Sequence, residues 1–222
     1  MKKVIKIRVA VKDDIPFLAI STRAAERAHR ETGLWDFIYT ADKCLPFLEG
    51  WIQKPDMFFH YSNFLIACIC TDEEEVPVAS ALSYVYGSIN FDKWDSIEES
   101  IALSNGWSIE EISKLQQRWS QIMPCMPKYG SPKTLIIECV ATDLNYRNMG
   151  IQKRIITNLL ERSKDSNCEN VSLSCLADNE AAQSLYEKLG FRKIQESTSP
   201  EFAAALTSPG FIIMSRKLNT PP

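Results

Sequence analysis

Apolar and polar positions along the chain fall into two rhythms. Residues 3–9 alternate as a half-buried strand does, and residues 63–71, 76–86, 134–142, 170–176 and 211–218 are short runs rich in Ile, Val, Leu or Phe. Runs of this length predict strands. Elsewhere apolar residues recur every three or four positions. Asp13-Asp14-Ile15-Pro16 opens one helix, with proline tolerated in its first turn, and this helix reaches about His29. Residues 40–54 predict a second helix, ended by Pro55, and the acidic turn at 72–75 joins two strands as a hairpin. Ile151, Ile155, Ile156, Leu159 and Leu160 share one face of a helix over 151–164. After the strand at 170–176, Asp178 can cap a short helix with Ala182, Leu185, Tyr186 and Leu189 on one face. Gly190 fits the left-handed position just past its end. The predicted order is β-α-α-β-β-insert-β-α-β-α-β-β, a mixed α/β sheet flanked by helices in one domain over residues 1–222.

The insert, residues 87–133, reads as ordered helical structure. Ser96 with Glu99, and Ser108 with Glu111, have the spacing of capping boxes. The second precedes Ile109, Ile112, Leu115, Trp119 and Ile122 along one side of a helix that Pro124 and Pro127 end. The insert either packs on the sheet as decoration or walls a neighbouring site. Trp94, Trp107 and Trp119 could shape an aromatic pocket or fill the core.

Composition narrows the function classes. The chain has 222 residues, 45% hydrophobic and 24% charged, which suits a compact globular protein. A net charge of −3 argues against nucleic acid as partner. No apolar run approaches the ~18–20 residues of a membrane span, and the alternating start lacks a signal-peptide core. Seven cysteines without a C-x-x-C pair point to reduced thiols in a cytoplasmic protein, and two histidines give no support for a metal site.

The chemistry concentrates after the strand at 134–142. The segment Tyr146-Arg147-Asn148-Met149-Gly150-Ile151-Gln152-Lys153 joins that strand directly to a helix start. Backbone N–H groups there have no helical partner and lie at the positive end of the helix dipole, which suits a phosphate or pyrophosphate. Gly150 allows close approach, and Arg147, Lys153 and Arg154 add positive charge. Neither G-x-x-x-x-G-K-[ST] nor G-x-G-x-x-G occurs, which argues against P-loop and Rossmann folds.

The following strand ends in Asn179-x-x-Ala182-x-x-x-Tyr186-x-x-Leu189-Gly190-Phe191. This motif, placed after an R-x-x-G-x-(G/A)-like loop, resembles the GNAT superfamily of acyl-CoA-dependent N-acyltransferases. The resemblance is sharp over residues 134–195. It implies a GNAT fold, acetyl-CoA as co-substrate with no metal, and transfer of an acetyl group to a primary amine. By the resemblance, Arg147, Asn148, Met149, Gly150, Ile151, Gln152 and Lys153 wrap the CoA pyrophosphate, largely through backbone N–H groups. Val140, Ala141 and Thr142 pair with the pantetheine arm as an added strand, and Asn179 hydrogen-bonds near it. Tyr186 matches the family's general acid, which protonates the leaving sulfur. Gln152 stands where Gly or Ala is usual, and Leu144 replaces a frequent proline.

Such a reaction needs a base to take a proton from the ammonium and support for an oxyanion, and direct attack in a ternary complex needs no covalent enzyme intermediate. Glu138, the sole charged residue of its strand, is the leading base candidate, since burial would raise its pKa. The alternative is a structural glutamate paired with an arginine. Glu26 and His29 are the next candidates, and Cys139 and Cys175 read as core thiols. The acceptor is expected to be a small-molecule amine, with a protein lysine or N-terminus as alternatives. A non-catalytic acyl-CoA-binding regulatory domain is the other class, and the sheet edges are compatible with a homodimer.

Overall fold

The computed structural model describes residues 4–55, 57–89, 91–164 and 166–218. Seven strands form one sheet: β1 (Val4–Val9), β2 (Phe64–Cys70), β3 (Glu75–Val85), β4 (Thr134–Thr142), β5 (Asn170–Leu176), β6 (Arg192–Thr198) and β7 (Gly210–Lys217). Their spatial order is β1-β2-β3-β4-β5-β7-β6. Only β4 and β5 pair in parallel; the other neighbours are antiparallel.

Among the described residues, eight α-helices cover the sheet. One face carries α1 (Ile15–Arg27), α2 (Leu34–Tyr39), α3 (Cys44–Ile52), the insert helices α4 (Trp94–Ser104) and α5 (Ile109–Ile122), and α8 (Pro200–Leu206). The other carries α6 (Ile151–Arg162) and α7 (Glu180–Lys188). Each face has its own apolar core. Leu18, Phe47, Trp51 and Phe202 are fully buried on the first, and Ile155, Ile156, Val171 and Phe191 on the second. That division follows the sequence: β2 is apolar at every position, and β4 is apolar apart from Glu138 and its terminal threonines, because both faces are covered.

Several expectations need correction. The helix read over 40–54 begins only at Cys44, and a separate short helix, α2, precedes it. Ser96 lies inside α4 and donates to the carbonyl of Lys93, so it makes no capping box. Ser108 and Glu111 do form one, with Glu111 N–H to Ser108 Oγ at 3.3 Å and Ser108 N–H to Glu111 Oε2 at 2.8 Å. The cap of α7 is Asn179, which accepts from Ala182 N–H at 3.2 Å; Asp178 instead pairs with Arg30 and accepts from Ser208. Gly190 takes the left-handed conformation, φ +84°. Helix α8 was not foreseen. Seven residues are too few for a periodic signal, although Ser199 caps it and Pro200 opens it.

The insert helices belong to the core. Ile101, Trp107, Ile112, Leu115 and Ile122 are buried on the α1–α3 side of the sheet, with Trp94 and Trp119 packed against them. Glu98 on α4 accepts from Tyr39 Oη and Trp119 Nε1, both at 2.9 Å. The ends of the insert meet where Gly87 N–H bonds the Pro132 carbonyl at 2.9 Å.

Candidate active site

The site begins with a fault in the sheet. Strands β4 and β5 pair from Thr134/Asn170 to Ile137/Leu173 and no further. Beyond that point β4 stays with β3 and β5 stays with β7, so their facing edges part. A β-bulge drives the separation. Ser80 lies opposite Ala141 and Leu82 opposite Glu138, which leaves two residues of β4 facing one of β3. Cys139 in the bulge takes φ +51°, a conformation uncommon for a non-glycine residue. No periodicity could announce this, because the run at 134–142 reads as a plain strand.

A cleft of about 390 Å³ occupies the gap. One wall is the β4 edge, with Glu138, Val140, Ala141 and Thr142, and the other is Ser174, Cys175, Leu176 and Asn179. The loop before α6 closes one end with Arg147, Asn148 and Gly150, and the first turn of α6 adds Ile151, Gln152 and Lys153. Helix α1 contributes Glu26, the turn after it His29, and α7 contributes Tyr186. The structure therefore brings together every site residue named above except Met149, whose side chain is exposed outside the cleft. Arg154 also departs from expectation: its guanidinium reaches the Ile5 carbonyl at 3.3 Å. Trp94, Trp107 and Trp119 do not line the cleft; they are core residues.

The loop end suits an anion. No side chain caps α6, so its first N–H groups are left for a ligand. Asn148 and Gly150 both have positive φ, 62° and 70°, and a Cβ at Gly150 would meet open space. Gln152 is half-buried and lines the cleft, so its longer side chain is accommodated there. Along the β4 wall, Thr142 Oγ1 is buried without a hydrogen-bond partner, a hydroxyl that a ligand amide could satisfy.

The floor is acidic and aromatic. Tyr129, from the tail of the insert, donates to Glu138 Oε1 at 3.1 Å and lies 3.3 Å from Ser174 Oγ. Tyr84 is a second hydroxyl-bearing neighbour that favours the charged form of Glu138. Burial raises the Glu138 carboxyl above its ordinary value, against the pull of both tyrosines. Its partners are thus hydroxyls and not the arginine that a structural pairing would bring. Sequence reading missed Tyr129 and Tyr84, and no local signal marks either, since each meets Glu138 only through the fold. Glu26 faces the same space, and enclosure in protein, with the Glu138 charge next in weight, pushes its carboxyl up to about 8.

Tyr186 is almost wholly buried, and burial pushes its hydroxyl above its ordinary value, so it stays protonated. Its ring packs near Phe191 with centroids 6.2 Å apart. Burial also raises the thiols, Cys175 to about 12 and Cys139 upward, so neither is a ready nucleophile.

The model of the acetyltransferase (GNAT) family matches residues 34–191. The chain belongs to the GNAT acetyltransferase family. It is an acyltransferase, and the parted strands, the uncapped helix start and Tyr186 fall within the matched GNAT region or at its border. No curated protein matches this GNAT chain in sequence. Solved structures share its fold. One acetyltransferase has 17% identity and a TM-score of 0.65, covering 96% of this chain and 100% of its own. An N-acetyltransferase from Staphylococcus aureus Mu50 has 22% identity and a TM-score of 0.62, covering 95% and 100%. The yncA protein of Salmonella typhimurium, solved with its cofactor acetyl-CoA, has 13% identity and a TM-score of 0.53, covering 98% and 95%.

Proposed function

We propose that this chain transfers the acetyl group of acetyl-CoA to a primary amine by direct attack, and that the acceptor is a small molecule. The observation that carries the reading is the shared cleft: the parted β4–β5 edge, the uncapped start of α6 and Tyr186 all line it. The unpartnered Thr142 hydroxyl and the open space at Gly150 fit the group. The N–H groups of residues 151–153 and the Arg147 side chain would hold the pyrophosphate, and residues 140–142 with Asn179 the pantetheine arm. Bound there, acetyl-CoA supplies an activated acyl group and a thiol leaving group.

The residues of the chain do the rest. The α6 N-terminus orients, the strand edge aligns, and Tyr186 holds a proton for the leaving sulfur. The carboxyls at the floor, Glu138 and Glu26, supply the basic end as a pair. Tyr129 bridges Glu138 and Ser174, which line that end of the cleft from β4 and β5. All seven cysteines are unpaired, as suits a reducing cytoplasm.

A thermal-shift titration tests the reading. Acetyl-CoA at 100 times its Kd should add about 2.7 kcal/mol, exceeding any effect of ATP. Absence of a shift at millimolar acetyl-CoA would remove the cofactor and the function with it.

A further inference from the structure

We propose that Glu26 takes the proton from the incoming ammonium, and that Glu138 is its anionic partner in the pair and not the base. This assignment rests on the acetyl-transfer reading of the cleft.

Position is the first argument. Glu26 lines the cleft where β4 and β5 part. Its charge is felt by Tyr129, by Cys139 in the bulge, by Cys175 on β5 and by Tyr186. Glu26, Glu138 and Tyr186 thus line one cleft. His29, in the turn just past the end of α1, lines the same cleft with its Nε2 at 3.9 Å from Asp178 Oδ2.

Availability is the second. Glu138 already accepts a hydrogen bond from Tyr129 and has Tyr84 beside it. Those hydroxyls favour its charged form and weaken its appetite for a proton. Among the described residues Glu26 makes no side-chain hydrogen bond or ion pair. Enclosure first and the Glu138 charge second raise its affinity for a proton to about 8, so the ionised fraction of Glu26 is a strong proton acceptor.

Rigidity is the third. A Cβ at Gly33 would come within 2.5 Å of the Glu26 carbonyl, so the start of α2 packs directly on the backbone that carries this side chain. Arg23 and Arg27, either side of Glu26 on α1, both clamp Asp36 of α2, at 2.7 Å and 2.6 Å through their Nε atoms. A proton acceptor must be held in place to act, and this clamp holds it.

The step balances as follows. The Glu26 carboxylate takes one proton from the ammonium, and the freed lone pair forms the C–N bond at the thioester carbonyl carbon. The C–S bond breaks with its electron pair on sulfur. Tyr186 gives sulfur a proton and is refilled by the second proton of the nitrogen. Ammonium and thioester become amide and thiol, and one proton leaves from Glu26.

Two measurements test this. Side-chain carboxyl NMR on isotope-labelled protein needs no acceptor. One glutamate should titrate near 8; the signal should vanish in Glu26→Gln and move to lower pH in Glu138→Gln. Its persistence in Glu26→Gln overturns the assignment. In thiol-release assays with acetyl-CoA and spermidine or phenethylamine, Glu26→Gln should lose ~100-fold or more in kcat with the acetyl-CoA KM unchanged. Glu138→Gln should stay within about tenfold of wild type, with its rising pH limb shifted down. The reverse ranking makes Glu138 the base. Binding of acetyl-CoA without turnover by wild type counts against the transfer reading, while the NMR titration still decides where the proton resides.

Discussion

Tyr129 Oη donates to Glu138 Oε1 across 3.1 Å and so ties the tail of the insert to the strand that forms the cleft wall. The contact joins residues on a loop and on β4 that share no local motif. Hydrogen bonds to charged groups contribute about 1.5–3 kcal/mol. Tyr129→Phe should cost stability in that range above neutral pH. The bond favours the charged carboxyl, so its contribution should shrink as falling pH protonates Glu138. Urea denaturation at several pH values checks this; an equal loss throughout would mean that Glu138 is never ionised.

Tyr186→Phe should leave the fold intact, because the ring keeps its contact with Phe191 and only a hydroxyl without a described partner is removed. The kcat should fall by ~100-fold, with the acetyl-CoA KM little changed. Unchanged kcat would take Tyr186 out of the reaction.

Gly150→Ala separates folding from binding. The left-handed conformation disfavours alanine by about 1–2 kcal/mol, while the space around the site is open. A modest fall in Tm should accompany a loss of tenfold or more in acetyl-CoA affinity, roughly 1.4 kcal/mol. Calorimetric titration showing wild-type affinity would mean that no phosphate approaches this backbone.

Glu26 links stability to pH. Its folded pKa, about 8, is above that of a free carboxyl. The neutral form is favoured in the fold, so its contribution is full below the unfolded value of about 4.3 and is lost as pH rises through about 8. Glu26→Gln should therefore gain on wild type as pH increases, by ~2–4 °C in Tm for each kcal/mol at this chain length. Parallel Tm curves for the two proteins would show that Glu26 is ionised across the range.

Much of this was legible in the sequence, for identifiable reasons. Strands 134–142 and 170–176, the α6 face and the Asn179–Phe191 segment have strong periodic or capping signals, and the residues they carry line one cleft. Where the sequence failed, the cause lay in tertiary structure. The Cys139 bulge needs β3 to define it. Tyr129 and Tyr84 become neighbours of Glu138 only once the insert has folded back. Helices α2 and α8, six and seven residues long, are too short for a period to show. Asp178 and Asn179 are both good caps, and the choice between them was settled by Arg30 and Ser208, which hold Asp178 elsewhere.

The most direct test of acetyl transfer at this cleft is product detection by mass spectrometry. Wild type and Tyr186→Phe would each be incubated with acetyl-CoA and a panel of polyamines, arylalkylamines and peptide N-termini. Wild type should acetylate at least one small amine, with one thiol released per amide formed, and Tyr186→Phe should form the same product far more slowly. Acetyl-CoA binding with no acetylated product from any amine would contradict transfer and leave a protein that binds acetyl-CoA without using it.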